Sequence, residues 1–257
     1  MSPIISVKNL KKRYRNSPAP SVDDISFSVK KGEFFSLLGP NGAGKTTTIS
    51  ILTTTLSKTS GDCFVADLDV TTQSASVRAK IGIIFQNPSL DKNLTAEENI
   101  RFHACLYGLF PYRPLYTQMS NDYKNQVKSL TEVIGLTATD LNKQVKDMSG
   151  GMKRKLEIVR SLMHKPEILF LDEPTSGLDP LSRKNLWDYL THIRKNNGTT
   201  IFLTTHYLEE AEGCDNVCII NHGKIVAYGS PSAIKKQYTG HHTTLEQAYL
   251  KIIQETN

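Results

Sequence analysis

The sequence predicts an α/β fold with a mostly parallel sheet, an antiparallel β subdomain and an inserted helical lobe. Three observations lead there. Short apolar, β-rich runs alternate with helix-like segments, as in strands joined by crossover helices. Two flanking pairs of runs, 4–10 with 25–29 and 217–220 with 225–228, read as antiparallel, the second closing across Asn221-His222-Gly223-Lys224. Between about residues 87 and 165 the strand signals stop and helical periodicity replaces them.

Taken in order, residues 34–38 form a strand that feeds Gly39-Pro40-Asn41-Gly42-Ala43-Gly44-Lys45-Thr46-Thr47. The helix that follows is rich in threonine, which propensity disfavours, so packing of Ile49, Leu52 and Leu56 must hold it. Residues 81–85, 168–171 and 200–204 read as further buried strands, each ending at a polar residue. Ligands of such sheets sit beyond the carboxyl ends of the strands, where these polar residues fall. In the lobe, Thr95 and Glu98 have the spacing of a capping box. Helical spacing runs through Val127, Leu130, Val133 and Ile134, and again through Met152, Leu156, Val159, Leu162 and Met163. A Pro- and Tyr-rich loop over 110–119 interrupts it. The division expected is a core of 1–86 and 165–230, a lobe of 87–164 and a tail of 231–257. Ser230-Pro231 ends the core in this reading, and the tail forms one short helix around Leu245 and Ala248-Tyr249-Leu250.

Composition narrows the class. The 257 residues include 31 Lys+Arg against 25 Asp+Glu, a net +6. That excess is mild and suits a mixed-charge surface; Lys11-Lys12-Arg13 and Lys153-Arg154-Lys155 are too short to be nucleic-acid arms, so no nucleic acid is expected. No apolar run approaches the ~20 residues of a membrane-spanning helix. Residues 1–10 lack a basic-then-apolar leader, and the expectation is a cytoplasmic protein that reaches a membrane only through a partner. Cys63, Cys105, Cys214 and Cys218 show no C-x-x-C spacing. A metal reading of Cys214 and Cys218 with His206 and His222 is weakened because Cys218 falls in an apolar strand, and His241-His242 reads as surface. Free thiols in a reducing compartment are the simpler account.

The chemistry-bearing stretches form one series. Gly39 to Thr46 fits G-x-x-x-x-G-K-[ST], in which glycines let backbone N–H groups converge on phosphate oxygens at a helix N-terminus. Lys45 would reach the β- and γ-phosphates, Thr46 would complete a Mg²⁺ shell and Thr47 would donate to the α-phosphate. The apolar strand 168–171 ends in Asp172 and Glu173, like a Walker B motif. Asp172 would hold Mg²⁺ and Glu173 would orient or deprotonate the attacking water. Gln86, after the strand 81–85, can bind Mg²⁺ or that water, and His206, after 200–205, could donate to the γ-phosphate. Ser149-Gly150-Gly151 precedes a helix: it is a generic cap, or an anion site made of bared N–H groups.

Together these stretches resemble the ATP-binding subunit of an ABC transporter, over about residues 4–230, as one cassette. The resemblance implies a P-loop NTPase (RecA-like) core, ATP and Mg²⁺ as ligands, and a head-to-tail dimer with a second copy or a homologous ATPase subunit. It reads Ser149-Gly150-Gly151 as the signature sequence, which in the family binds the γ-phosphate held by the opposite subunit. Met148 and Met152 stand where Leu and Gln are commonest. Ser176-Gly177-Leu178-Asp179 is similar to the D-loop that meets the partner, and Tyr14 matches the aromatic that stacks on adenine, or is a strand-edge aromatic. The run 149–157 and the tail pattern 245–250 resemble the exporter branch for drugs, polysaccharides and lipids. A separate permease is then implied, with the chain peripheral on the cytoplasmic face of the membrane. A soluble ABC ATPase of cofactor or metal-cluster assembly stays open beside it. A P-loop kinase or GTPase would need neither Ser149-Gly150-Gly151 nor this spacing.

Overall fold

The computed structural model of the chain describes residues 2–15, 17–86, 89–239 and 243–256. Asn87, at the expected lobe boundary, and His241-His242 lie outside the described residues. One sheet is antiparallel: β1 (Ile5–Lys12), β2 (Val22–Val29), β4 (Ser60–Val65) and β5 (Leu68–Asp69), in the order β2-β1-β4-β5. The other holds β3 (Phe34–Leu38), β6 (Ile81–Ile84), β7 (Ile168–Asp172), β8 (Thr200–Thr205), β9 (Asn216–Asn221) and β10 (Lys224–Gly229), in the order β10-β9-β3-β8-β7-β6. All its pairings are parallel except β10 with β9. Every residue of β3, β7 and β8 is buried, as befits parallel strands covered on both faces.

Side chains alternate across that sheet and feed two separate cores. Phe34, Leu38, Leu169, Leu171, Ile201 and Leu203 join the layer shared with the lobe and the C-terminal helices. Phe35, Leu37, Ile168, Phe170 and Phe202 join the layer under the antiparallel sheet. There Phe35 and Phe202 pack at 5.0 Å between ring centroids and Phe27 stacks on Phe35 at 5.5 Å. Tyr228 ties the two sheets by donating to the Ser28 carbonyl at 2.8 Å.

The helices are α1 (Lys45–Leu52), α2 (Ser74–Lys80), α3 (Ala96–Leu106), α4 (Asn121–Ile134), α5 (Ala138–Leu141), α6 (Gly150–Leu162), α7 (Pro180–Asn197), α8 (Leu208–Glu212), α9 (Pro231–Tyr238) and α10 (Leu245–Thr256). Among the described residues none is long and apolar enough to cross a membrane. Helices α3 to α6 make the lobe. Its capping box closes: Glu98 N donates to Thr95 Oγ1 at 3.2 Å and Thr95 N to Glu98 Oε2 at 2.8 Å. The loop over 110–119 is held by a buried pair in which Arg101 meets Glu97 at 3.1 Å and donates to the Arg113 and Pro114 carbonyls. Tyr123 donates to the same Glu97 at 3.0 Å. On α4, Val127 and Ile134 are buried as the periodicity requires, whereas Val133 is 46% exposed.

Two expectations need correction. The tail is not one helix but two, and it is part of the core. Ser230 caps α9, accepting from Ala233 N at 3.2 Å, and Pro231 occupies the first helical turn, where its missing N–H costs nothing. The dipeptide therefore starts a helix instead of ending the domain. Leu245, Ala248 and Ile252 of α10 are all buried. The second correction is β4, which the sequence reading did not foresee. Gly61 and Asp62 disfavour a strand, yet β4 pairs with β1 over five positions because the backbone approaches closely. A Cβ at Gly61 would lie 2.3 Å from the Asn9 carbonyl oxygen.

Candidate active site

The loop after β3 is shaped by contacts that leave no room for side chains. A Cβ on Gly39 would stand 2.2 Å from the Ile220 carbonyl oxygen, and one on Gly44 (φ 107°) 2.4 Å from that of Ser21. The chain thus turns tightly into α1, whose N-cap is Gly44 and whose first N–H groups receive no side-chain cap. Lys45 is buried and folds back, donating to the Gly39 carbonyl at 2.8 Å and that of Pro40 at 3.0 Å. Burial lowers its pKa, opposed by the carboxylates of Glu173 and Asp172.

The two acids at the end of β7 have different surroundings. Asp172 accepts from the Thr204 hydroxyl and from Thr46 Oγ1 at 3.3 Å. Burial raises its pKa, and those two hydroxyl bonds oppose the rise. Glu173 has φ 46°, the left-handed region that a non-glycine residue enters at a cost. Its N–H donates to both Thr204 oxygens at 3.1 Å, which hold the turn in place. Three groups from other elements meet its carboxylate. Gln86 Nε2 donates to Oε2 at 3.2 Å, while His206 Nδ1 and Lys45 Nζ stand 3.3 and 3.7 Å from Oε1. The ends of β6, β7 and β8 and the start of α1 thus converge on one carboxylate.

An open cavity of about 370 Å³ lies here, lined by Ser21, Asn41, Gly42, Gly44, Lys45, Thr46, Thr47, Gln86 and Glu173. Its donors are backbone N–H groups, an ammonium and hydroxyls, a set suited to phosphate oxygens. The Thr46 hydroxyl and Asp172 carboxylate are hard oxygen ligands of the kind that share Mg²⁺ with a nucleotide. Tyr14 does not line the cavity: it is 44% exposed, with Lys12 Nζ 5.3 Å from its ring centroid.

Ser149, Gly150 and Gly151 are also absent from that lining. Ser149 Oγ caps α6, accepting from Met152 N at 3.2 Å, and Gly150 is exposed with no described residue within 4 Å of a Cβ position. A Cβ on Gly151 would come 3.1 Å from Ser182 Oγ, so this turn abuts the start of α7. There Asp179 serves as N-cap, accepting from Ser182 N at 3.0 Å and from its hydroxyl.

Sequence reasoning assigned no role to Ser21 or Thr204, and none to a buried pair on α6, Arg154 with Glu157. Thr204 was legible only as a strand residue; its contact with β7 comes from the pairing of Asp172 with Thr204. Arg154 and Glu157 did leave a signal, opposite charges three residues apart on a helix otherwise patterned for burial.

A family model described as ABC transporter matches residues 22–176. The chain is 36% identical over 255 residues to the probable multidrug ABC transporter ATP-binding protein YbhF of Escherichia coli (strain K12), covering 98% of itself but 42% of that protein. It is 38% identical over 238 residues to the linearmycin resistance ATP-binding protein LnrL of Bacillus subtilis (strain 168), covering 92% of itself and 72% of the relative. A solved structure of the ATP binding subunit of an ABC transporter superposes with a TM-score of 0.85 at 29% identity, over 97% of this chain and 99% of that one.

Proposed function

The chain belongs to the ABC transporter family, and from that premise we propose that it is an ATP-hydrolysing subunit that drives a separate membrane permease. The observation that carries this reading is the convergence of Lys45, Gln86 and His206 on Glu173 at the mouth of the phosphate-loop cavity. ATP sits with its phosphates in the loop 39–47, under Lys45 and the N–H groups of α1. Thr46 and Asp172, with Gln86 beside them, are the residues to hold Mg²⁺, which neutralises charge on the terminal phosphates when bound. Glu173 orients or deprotonates the attacking water, and His206 donates to the γ-phosphate. A general base of this kind contributes about 10²–10⁴ in rate.

One chain makes half of each site. Ser149-Gly150-Gly151 lies outside the lining of its own cavity, with Ser149 and Gly150 exposed, which supports its use on the triphosphate of an opposed copy, with Asp179 and its loop at the seam. ATP closes the pair and loss of the γ-phosphate reopens it. Attachment to the cytoplasmic face of a membrane through the permease, and export as the direction, follow the relatives named for multidrug transport and linearmycin resistance. Those names favour transport over cofactor assembly. Tyr14, exposed two residues past the end of β1, is placed to stack on the base once nucleotide binds.

The test is Glu173→Gln. Phosphate release should fall to background while ATP binding persists and size-exclusion chromatography shows an ATP-dependent dimer. Turnover at the wild-type rate would remove Glu173 from its role, and a strict monomer with full activity would remove the composite site.

A further inference from the structure

One row of α6 side chains takes no part in the function proposed above. Arg154 and Glu157 point back into the seam between lobe and parallel sheet, 7% and 1% exposed. All three guanidinium nitrogens of Arg154 are used. Nε donates to the Pro174 carbonyl at 2.9 Å, Nη2 to that of Glu173 at 3.3 Å, and Nη1 to that of Phe85 at 2.6 Å and to Glu157 Oε2 at 3.1 Å. The second Glu157 oxygen accepts from Ser89 N at 3.0 Å, and Arg160 donates to the Ser89 carbonyl at 2.7 Å. Phe85 and Ser89 flank the segment that begins with Gln86, so a single helix grips both ends of it and the backbone of Glu173 as well. A buried ion pair is weak evidence of stability, because desolvation offsets much of its attraction. Fixing geometry accounts for it better: a planar fork with fixed donor directions locates three carbonyls at once.

We propose that Arg154 and Glu157 are a positioning pair that sets Gln86 and Glu173 in register with the glycine turn at the start of the same helix. The inference rests on the hydrolytic reading of Glu173 and deepens it. The helix that offers Ser149-Gly150-Gly151 to the opposite copy holds, one turn on, the backbone of this copy's own base and the carbonyl just before its amide. A shift of α6 when the glycine turn meets a phosphate is delivered through one side chain to the backbone that carries the local carboxylate.

Two variants separate position from charge. Arg154→Lys keeps the cation beside Glu157 but offers one nitrogen in place of a fork, and Glu157→Gln keeps the shape and removes the anion. Steady-state ATP hydrolysis and binding of a fluorescent ATP analogue are measured on both, on wild type and on Glu173→Gln, with thermal melting to check folding. The expected result for Arg154→Lys is a kcat lower by about 10- to 100-fold, the scale of a ~1 Å misplacement, with KM and analogue affinity little changed. Glu157→Gln should follow in the same direction by a smaller factor. Wild-type kcat in both variants overturns the inference, and so does a loss of kcat that tracks an equal loss of analogue binding. If wild type binds the analogue yet turns over no ATP, the hydrolytic reading itself falls, and the inference with it.

Discussion

At single positions, the site is limited by backbone clearance more than by side-chain choice. Gly39 and Gly44 sit where a methyl group would overlap carbonyl oxygens of Ile220 and Ser21, and backbone cannot move aside as a flexible side chain can. Gly39→Ala should therefore destabilise the fold by at least ~2 kcal/mol in chemical denaturation and abolish binding of a fluorescent ATP analogue. Gly42 makes the contrast. No described residue comes within 4 Å of its Cβ position and its φ of 81° is what resists substitution, so Gly42→Ala should cost about 1–2 kcal/mol. Equal losses at the two glycines would refute the steric account. The acids obey the same logic: Glu173 enters an unfavourable backbone region that two Thr204 oxygens hold in place.

Among the elements, the strength of the local signal decided what could be read. The phosphate loop, the strand ending in Asp172-Glu173 and the capping box at Thr95 each follow from a few adjacent residues, and all are formed. The box gives a direct test. Thr95→Ala should lower stability by about 1 kcal/mol in denaturant unfolding, since it leaves Glu98 N without its acceptor, and should leave nucleotide affinity unchanged. An unchanged unfolding midpoint would mean the box is ornamental. Strand β4 and helix α9 were missed for opposite reasons. In β4 the local preference is poor and tertiary pairing with β1 overrides it. In α9 the signal was present, since a serine followed by proline is a helix start as well as a chain break. Beyond the charge pair itself, the network of Arg154 and Glu157 was illegible because its partners at 85, 89, 173 and 174 are far apart in sequence, and only folding brings three carbonyls and the Ser89 N–H together.

Across the whole molecule, the lobe meets the sheet through a cluster of half-buried histidines beneath an exposed tyrosine. Tyr107 packs 4.5 Å from His103 and 4.3 Å from His164 between ring centroids, and His164 Nε2 lies 2.8 Å from the Ile81 carbonyl of β6. Burial pushes the pKa of His103 down to about 3, with Arg160 and His164 acting the same way, and burial lowers His164 too. The unfolded chain takes up these protons near pH ~6.5 while the folded chain does not. Stability is therefore full above that pH and is lost as pH falls toward the folded value, by up to ~1.4 kcal/mol per unit for each histidine. Denaturant midpoints should drop between about pH 7.5 and 5.5, and His103→Phe should flatten the decline. The same slope in that variant would place the acid sensitivity elsewhere.

The alternation along β7 has one last consequence. Ile168 and Phe170 face the layer that also holds Ile49 and Leu52 of α1, whereas Leu169 and Leu171 face the layer that holds the lobe. Asp172, the last residue of the strand, inherits this zigzag and looks toward Thr46, whereas Glu173, past the strand end in the left-handed turn, meets the amide of Gln86. Sliding the strand by a single step would send each greasy side chain into the wrong oil and swing Asp172 away from Thr46. The packing that keeps two dry compartments apart is thus also what tells Asp172 which way to look.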